Sequence, residues 1–166
     1  IVGGGGWDAN AVANMQVFAE ANQLPVAAAF RCQSLFDNTH ENYIGDVGIG
    51  INPKLAARVK EADLLIAIGP RLGEMTTGGY ELLEIPMPKQ DLVHVYPGAE
   101  ELGRVYNPVQ GINASMKAFA KALVDMEPVH GGWAEITREG RGEYLAWSEP
   151  TEMTGSVNLG KVIQFL

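Results

Sequence analysis

The sequence predicts an α/β protein with a doubly wound, mostly parallel sheet of Rossmann type, about six strands with helices on both faces. Three observations predict it. Leu64 to Ile68 is an unbroken apolar run stopped at Gly69 and Pro70. A run of that kind reads as a strand buried on both faces of a parallel sheet. Apolar runs of strand length alternate along the chain with segments of helical period, which is the pattern of βαβ units. The chain also opens on Ile1-Val2 followed by four glycines and then Asp8, a strand–turn–helix signature.

Each element follows from its residues. Asp8 can cap a helix from Ala9 to about Asn22, with Val12, Met15, Phe18 and Ala19 on one face. Leu24 to Phe30 reads as a second strand, with Pro25 tolerated at its start. Residues 31–50 form a polar, glycine-rich connection. Asn52 followed by Pro53 opens a helix to about Glu61. Leu92 to Tyr96 is a further strand, Ala99 to Gly103 a short helical piece, and Val109 to Ile112 a short strand. Asn113 is expected to cap a helix running to about Met126. From Glu127 to Glu152 no period is evident, and this stretch reads as a linker on the surface, anchored by Trp133, Tyr144 and Trp147. A last helix begins near Val157 or Asn158.

Composition narrows the function. With 166 residues the chain can bury a substantial core. Its net charge of -8, with Lys and Arg scattered, argues against nucleic acid as a partner. The single cysteine, Cys32, excludes an internal disulfide and points to a reducing, cytoplasmic setting. No apolar run approaches the roughly 18 residues that a membrane span needs. The opening at Ile1 without a Met, and the close on an apolar helical stripe, read as a piece of a larger protein.

Candidate chemistry concentrates at two places. Gly4, Gly5, Gly6, Trp7, Asp8 and Ala9 satisfy a G-x-G-x-x-A pattern after a strand and before a helix, where backbone amides can approach a pyrophosphate. The same glycines also suit a tight turn, and Arg31 stands where a ribose-binding acid would follow the second strand. Arg71, at the exit of the 64–68 strand beside Thr76, Thr77, Gly78 and Gly79, suits either bidentate phosphate binding or a salt bridge to a neighbouring loop or domain. His40, His94 and His130 lack a second ligand at metal spacing. Ser34, Ser115, Ser148 and Ser156 stand in no nucleophile elbow, and no complete catalytic set assembles within the chain.

Taken in order, the motifs resemble the central domain of thiamine-diphosphate-dependent decarboxylases and carboligases, the acetolactate synthase-like family. The resemblance is carried by the Gly3–Gly6 turn, Pro25-Val26, the block from His40 through Gly45 to Gly48, Ala62-Asp63-Leu64 through Gly69-Pro70-Arg71, and His94 through Glu101-Leu102-Gly103. It implies a central Rossmann-like domain over residues 1–126, a linker over 127–156, and at 157–166 the first helix of a following diphosphate-binding domain. It further implies thiamine diphosphate and Mg in the parent enzyme, flanking N- and C-terminal domains as partners, and a homodimer or tetramer acting on 2-keto acids. The family's catalytic Glu and its Gly-Asp-Gly motif belong to the flanking domains, so this segment alone is expected to be inactive. Some members hold FAD or ADP at the central domain, which would make Gly4, Gly5, Gly6 and Arg71 its contacts. This sequence departs from the pattern at Glu41, where the family has Pro, and at Tyr96 and Gly98, where it has acids. A free-standing dehydrogenase or sirtuin-like deacetylase fits less well, for want of a ribose acid and of clustered cysteines.

Overall fold

The computed structural model describes residues 1–165. In chain order the elements are α1 (Ala9–Asn22), β1 (Val26–Ala28), β2 (Tyr43–Asp46), α2 (Pro53–Glu61), β3 (Leu64–Ile68), β4 (Asp91–Tyr96), β5 (Gln110–Asn113), α3 (Met116–Val124), α4 (Ala134–Ser148) and α5 (Leu159–Phe165). Two short 3₁₀ turns, Gln33–Leu35 and Ala99–Glu101, complete the set. All strand pairs are parallel: β1 with β2, and β3 with β4 with β5. Val2 bridges the two groups, pairing with Ala28 on one side and Ile68 on the other. The segment's backbone is bonded both ways, Val2 N donating to the Ala27 carbonyl at 2.9 Å and Gly3 N to the Ile68 carbonyl at 3.0 Å. The sheet therefore runs β2–β1–Val2–β3–β4–β5, the doubly wound order in which the chain starts in the middle and reverses direction once.

Alternation along the strands divides the core in two. Val26, Ala28, Tyr43, Ile68 and Val95 face Met15 and Ala19 of α1 and Met116 and Leu123 of α3. Ala27, Ile44, Leu65, Ala67 and Leu92 face Leu55 and Val59 of α2, together with Leu72, Leu82, Leu83 and Tyr106 from the long connections. Period-2 burial with apolar residues on both faces is what an interior parallel strand demands. Leu64 is the exception at 48% exposure, because it lies at the strand's entry.

Several expectations need correction. The 24–30 strand shortens to Val26–Ala28: Leu24 N is taken by the Ala19 carbonyl, and the chain turns after Ala29 through Arg31 at φ 60°. The 31–50 connection contains a strand, β2, hidden in the sequence because Gly45 at φ 117° interrupts it. The last sheet helix begins at Met116 with Ser115 as its cap, Ala118 N donating to the Ser115 hydroxyl at 3.3 Å. Asn113 instead ends β5 and donates its amide to the carbonyls of Tyr96 and Pro97. The stretch read as an irregular linker holds α4, a helix of 15 residues. Of its three expected anchors Tyr144 packs edge-on to Tyr43, Trp133 is half-buried, and Trp147 remains 56% exposed. The final helix starts at Leu159 and its apolar residues are exposed; Leu166 lies outside the described residues.

Candidate functional site

In a parallel sheet of this order the crevice for a ligand opens at the carboxyl edge, between the strands where the winding reverses. Here those are the Val2 segment and β3, and their exits are Gly3–Gly6 and Gly69–Arg71. The two exits press directly on each other. Gly4 stands at φ 70°, and a side chain there would run into the Gly69 carbonyl; one at Gly3 would meet Ala29 Cβ at 2.6 Å and Pro70 Cβ at 2.8 Å. Gly69, at φ 85°, has Met116 Sδ at 2.5 Å from where its own Cβ would be. Trp7 folds back and donates its indole N–H to the Gly3 carbonyl at 2.8 Å. Gly4 is thus a glycine because two backbones meet there, and Gly3 because Ala29 and Pro70 close on it. Gly5 and Gly6 are exposed and have open space around them.

The helix N-terminus beyond the turn is occupied as well. Asp8 accepts from Ala11 N at 2.8 Å and pairs with Lys117 at 3.2 Å. The backbone amide of Ala11, then Lys117, hold its carboxyl below the usual range. A carboxylate already sits at the position where the α1 dipole would favour an anion.

Arg71 is exposed but engaged. Its Nε donates to the Tyr96 hydroxyl at 3.0 Å and lies 3.6 Å from Glu101, a carboxylate only 8% exposed. Arg104 approaches the same Glu101 oxygen at 3.5 Å. Tyr96, and then Glu101, push the Arg71 guanidinium further toward its charged form. The threonines expected beside it turn inward: Thr76 and Thr77 are buried, and the Thr77 hydroxyl donates to the Gly73 carbonyl at 3.0 Å. The turn carrying Arg71 is held by His94, whose Nε2 donates to the Pro70 carbonyl at 3.0 Å across from β4. Because a carbonyl only accepts, Nε2 carries the proton, and burial pushes this imidazole below its ordinary value of 6.5. Sequence reasoning found Arg71 and the glycines but missed Glu101 and Tyr96 as the partners that tie Arg71 down. A spacing of 25 and 30 residues carries no local signal.

Two other sequence candidates make contacts within the chain. His40 donates to Glu20 at 2.7 Å and accepts from Asn42 N through Nδ1, closing the loop before β2. Arg31 lies over the Phe30 ring with its guanidinium carbon 5.4 Å from the centroid. Among the described residues no group of three or more His, Cys, Asp or Glu side chains is placed to hold a metal ion, and no helix is long and apolar enough to cross a membrane.

These features define a doubly wound α/β domain whose two central strand exits touch at Gly4 and Gly69, with Asp8 and Arg71 beside them each paired to an opposite charge. The family described as thiamine pyrophosphate enzyme, central domain, matches residues 1–123, and the chain belongs to that family. It is 26% identical over 157 residues to the acetolactate synthase large subunit of Parasynechococcus marenigrum, covering 91% of this chain and 25% of that one. It is 29% identical over 127 residues to glyoxylate carboligase of Escherichia coli O157:H7, covering 76% of this chain and 21% of that one. Over 86 residues it is 37% identical to 3D-(3,5/4)-trihydroxycyclohexane-1,2-dione hydrolase 2 of Bacillus cereus, covering 51% of this chain and 13% of that one. The chain spans a quarter or less of the length of each of these relatives. The residues at the Gly3–Gly6 and Gly69–Arg71 exits do not fit the diphosphate of the cofactor that the family's description names: the Asp8 carboxylate caps α1 there, and Arg71 is engaged by Tyr96 and Glu101.

Proposed function

We infer that this domain is the central scaffold of a larger thiamine-diphosphate- and Mg-dependent enzyme acting on 2-keto acids, a decarboxylase or carboligase. In this reading the domain spaces the flanking N- and C-terminal domains and supports a homodimer or tetramer in the cytoplasm. Those flanking domains hold the cofactor and the catalytic Glu. The observation that carries the reading is the pairing at the central strand exits, where Gly4 abuts the Gly69 carbonyl and Arg71 is bound by Tyr96 and Glu101. A domain whose strand exits and nearby charges are engaged with one another is suited to holding other parts in place. The matched segment covers 25% and 21% of two of these relatives, which supports flanking domains.

The alternative, a module binding FAD or ADP through Gly4, Gly5, Gly6 and Arg71, has less support. Asp8 and Glu101 would confront the incoming phosphates, and Arg71 would have to leave two partners to meet them. The test of the leading reading is the sequence of the whole protein. It should carry a Gly-Asp-Gly motif followed by Asn downstream of this domain, and a catalytic Glu upstream. A whole protein without the Gly-Asp-Gly motif overturns the reading.

A further inference from the structure

Helix α4 lies beyond the residues that match the family, yet it is fastened to the domain along its length. Thr137 donates its hydroxyl to the Gln23 carbonyl at 2.7 Å, at the end of α1. Asn52, which caps α2, donates its amide to the Glu143 carbonyl at 3.2 Å. Arg58 of α2 pairs with Glu143 and, at 3.2 Å, with Glu139. Just before the helix, Val129 N donates to the Asn22 side chain at 2.7 Å.

Where α4 lies matters more than how tightly it is held. The strand beneath it, β2, is an edge of the sheet, paired among the described residues only with β1. Tyr43 and Ile44 point to opposite faces, and each belongs to a different half of the core. The helix touches both. The Tyr144 ring stands edge-on to Tyr43 with centroids 5.1 Å apart, and a Cβ at Gly140 would lie 2.9 Å from Ile44 Cγ2. A helix that reaches side chains on both faces straddles the edge instead of covering one face.

Arg141 completes the closure. The Asn42 carbonyl is turned inward, accepting from Val26 N of β1 at 2.8 Å. By strand alternation the next carbonyl, Tyr43, points outward. Arg141 donates to that carbonyl at 3.1 Å, and to the carbonyls of Asn38 and Thr39 at 2.8 and 3.0 Å. Its guanidinium also lies 5.1 Å from the Tyr144 ring centroid. One planar cation therefore takes up an acceptor that an added strand would need. An uncovered edge strand is a template for pairing with another chain, and covering it with a helix is one of the ways proteins prevent that. At the opposite edge Gln110, Gly111 and Asn113 of β5 are exposed, so the closure is particular to β2.

We propose that α4 is an intramolecular strap that closes the β2 edge, with Arg141 blocking the outward Tyr43 carbonyl, and so keeps this edge from accepting a strand of another copy. Two variants of the 166-residue chain test it: Arg141→Ala, which removes the blocking group without adding bulk, and Gly140→Leu, which drives the helix away from Ile44. Hydrogen exchange of residues 43–46 is compared with that of 64–68 and 91–96, and sedimentation velocity is followed over a range of protein concentrations. Exchange at 43–46 should rise about tenfold or more in Arg141→Ala, with β3 and β4 unchanged. New concentration-dependent association should accompany it. Met116→Ala, which opens a cavity under α3 away from this edge, should sediment like the wild type. Unchanged exchange at 43–46 in Arg141→Ala overturns the proposal. So does faster exchange without association, or equal association in Met116→Ala.

Discussion

Replacing the glycines of the first turn one at a time separates a packing role from a phosphate cradle. A cradle needs bare backbone throughout Gly4, Gly5 and Gly6, whereas the structure needs it at Gly4 for contact with the Gly69 carbonyl. An alanine at Gly4 meets two penalties. Its φ of 70° lies in the left-handed region, which costs an L-residue about 1–2 kcal/mol. The added methyl then forces β3 and the Val2 segment apart, and overpacking of this kind costs about 1–3 kcal/mol. Gly4→Ala should therefore lose about 2–5 kcal/mol, a fall in the unfolding midpoint of about 4–20 °C for a chain of this size. Gly5 has no heavy atom within 4 Å of its would-be Cβ and no left-handed φ. Gly5→Ala should be neutral or gain up to about 1 kcal/mol by restricting the unfolded chain. Thermal unfolding followed by circular dichroism, with urea titration at 25 °C, reads both. Equal losses at Gly4 and Gly5, or no loss at Gly4, would refute the view that this turn is glycine-rich for packing.

Other outcomes follow from the same contacts. His94 is neutral in the fold and titrates near 6.5 when unfolded, so its folded value is the lower one. Stability should be level above 6.5 and fall as the pH drops from there toward the folded value; the slope of wild type minus His94→Gln, from urea unfolding at stepped pH, isolates the imidazole. No difference in slope would show His94 solvated. Glu143 is held low first by its hydrogen bond from Arg58. Its contribution should be full above about 4.5 and lost as pH falls through the lower folded value; a double-mutant cycle with Arg58 at pH 7 should give a coupling of about 1 kcal/mol. Leu92 is fully buried in β4, and Leu92→Ala should cost about 2–5 kcal/mol in urea unfolding. Arg71→Ala should leave the unfolding midpoint near that of the wild type, since the side chain is 66% exposed.

The parts of the fold legible in the sequence were those that local chemistry dictates. Asp8 and Asn52 announced α1 and α2 because a capping side chain sits within three residues of the amide it serves. Leu64 to Ile68 announced β3 because nothing but burial suits such a run. The parts that stayed hidden depend on distant contacts. Gly140 and Gly142 lower the helix propensity of α4, but Gly140 is the residue that lets the helix approach Ile44. β2 was obscured by Gly45, whose would-be Cβ lies 3.3 Å from the Tyr144 ring almost a hundred residues on. At the candidate site the sequence identified Gly4 and Arg71 and left their role open. What weighs against a phosphate there is the close approach of Gly69 and the partners Tyr96 and Glu101, which only the folded chain brings together.

Calorimetric titration of this domain with FAD, ADP and magnesium thiamine diphosphate decides whether its carboxyl edge takes a phosphate ligand. No saturable heat is expected from any of the three, for wild type and Arg71→Ala alike. Saturable binding of FAD or ADP that Arg71→Ala abolishes would contradict it, and would make the carboxyl edge a nucleotide site.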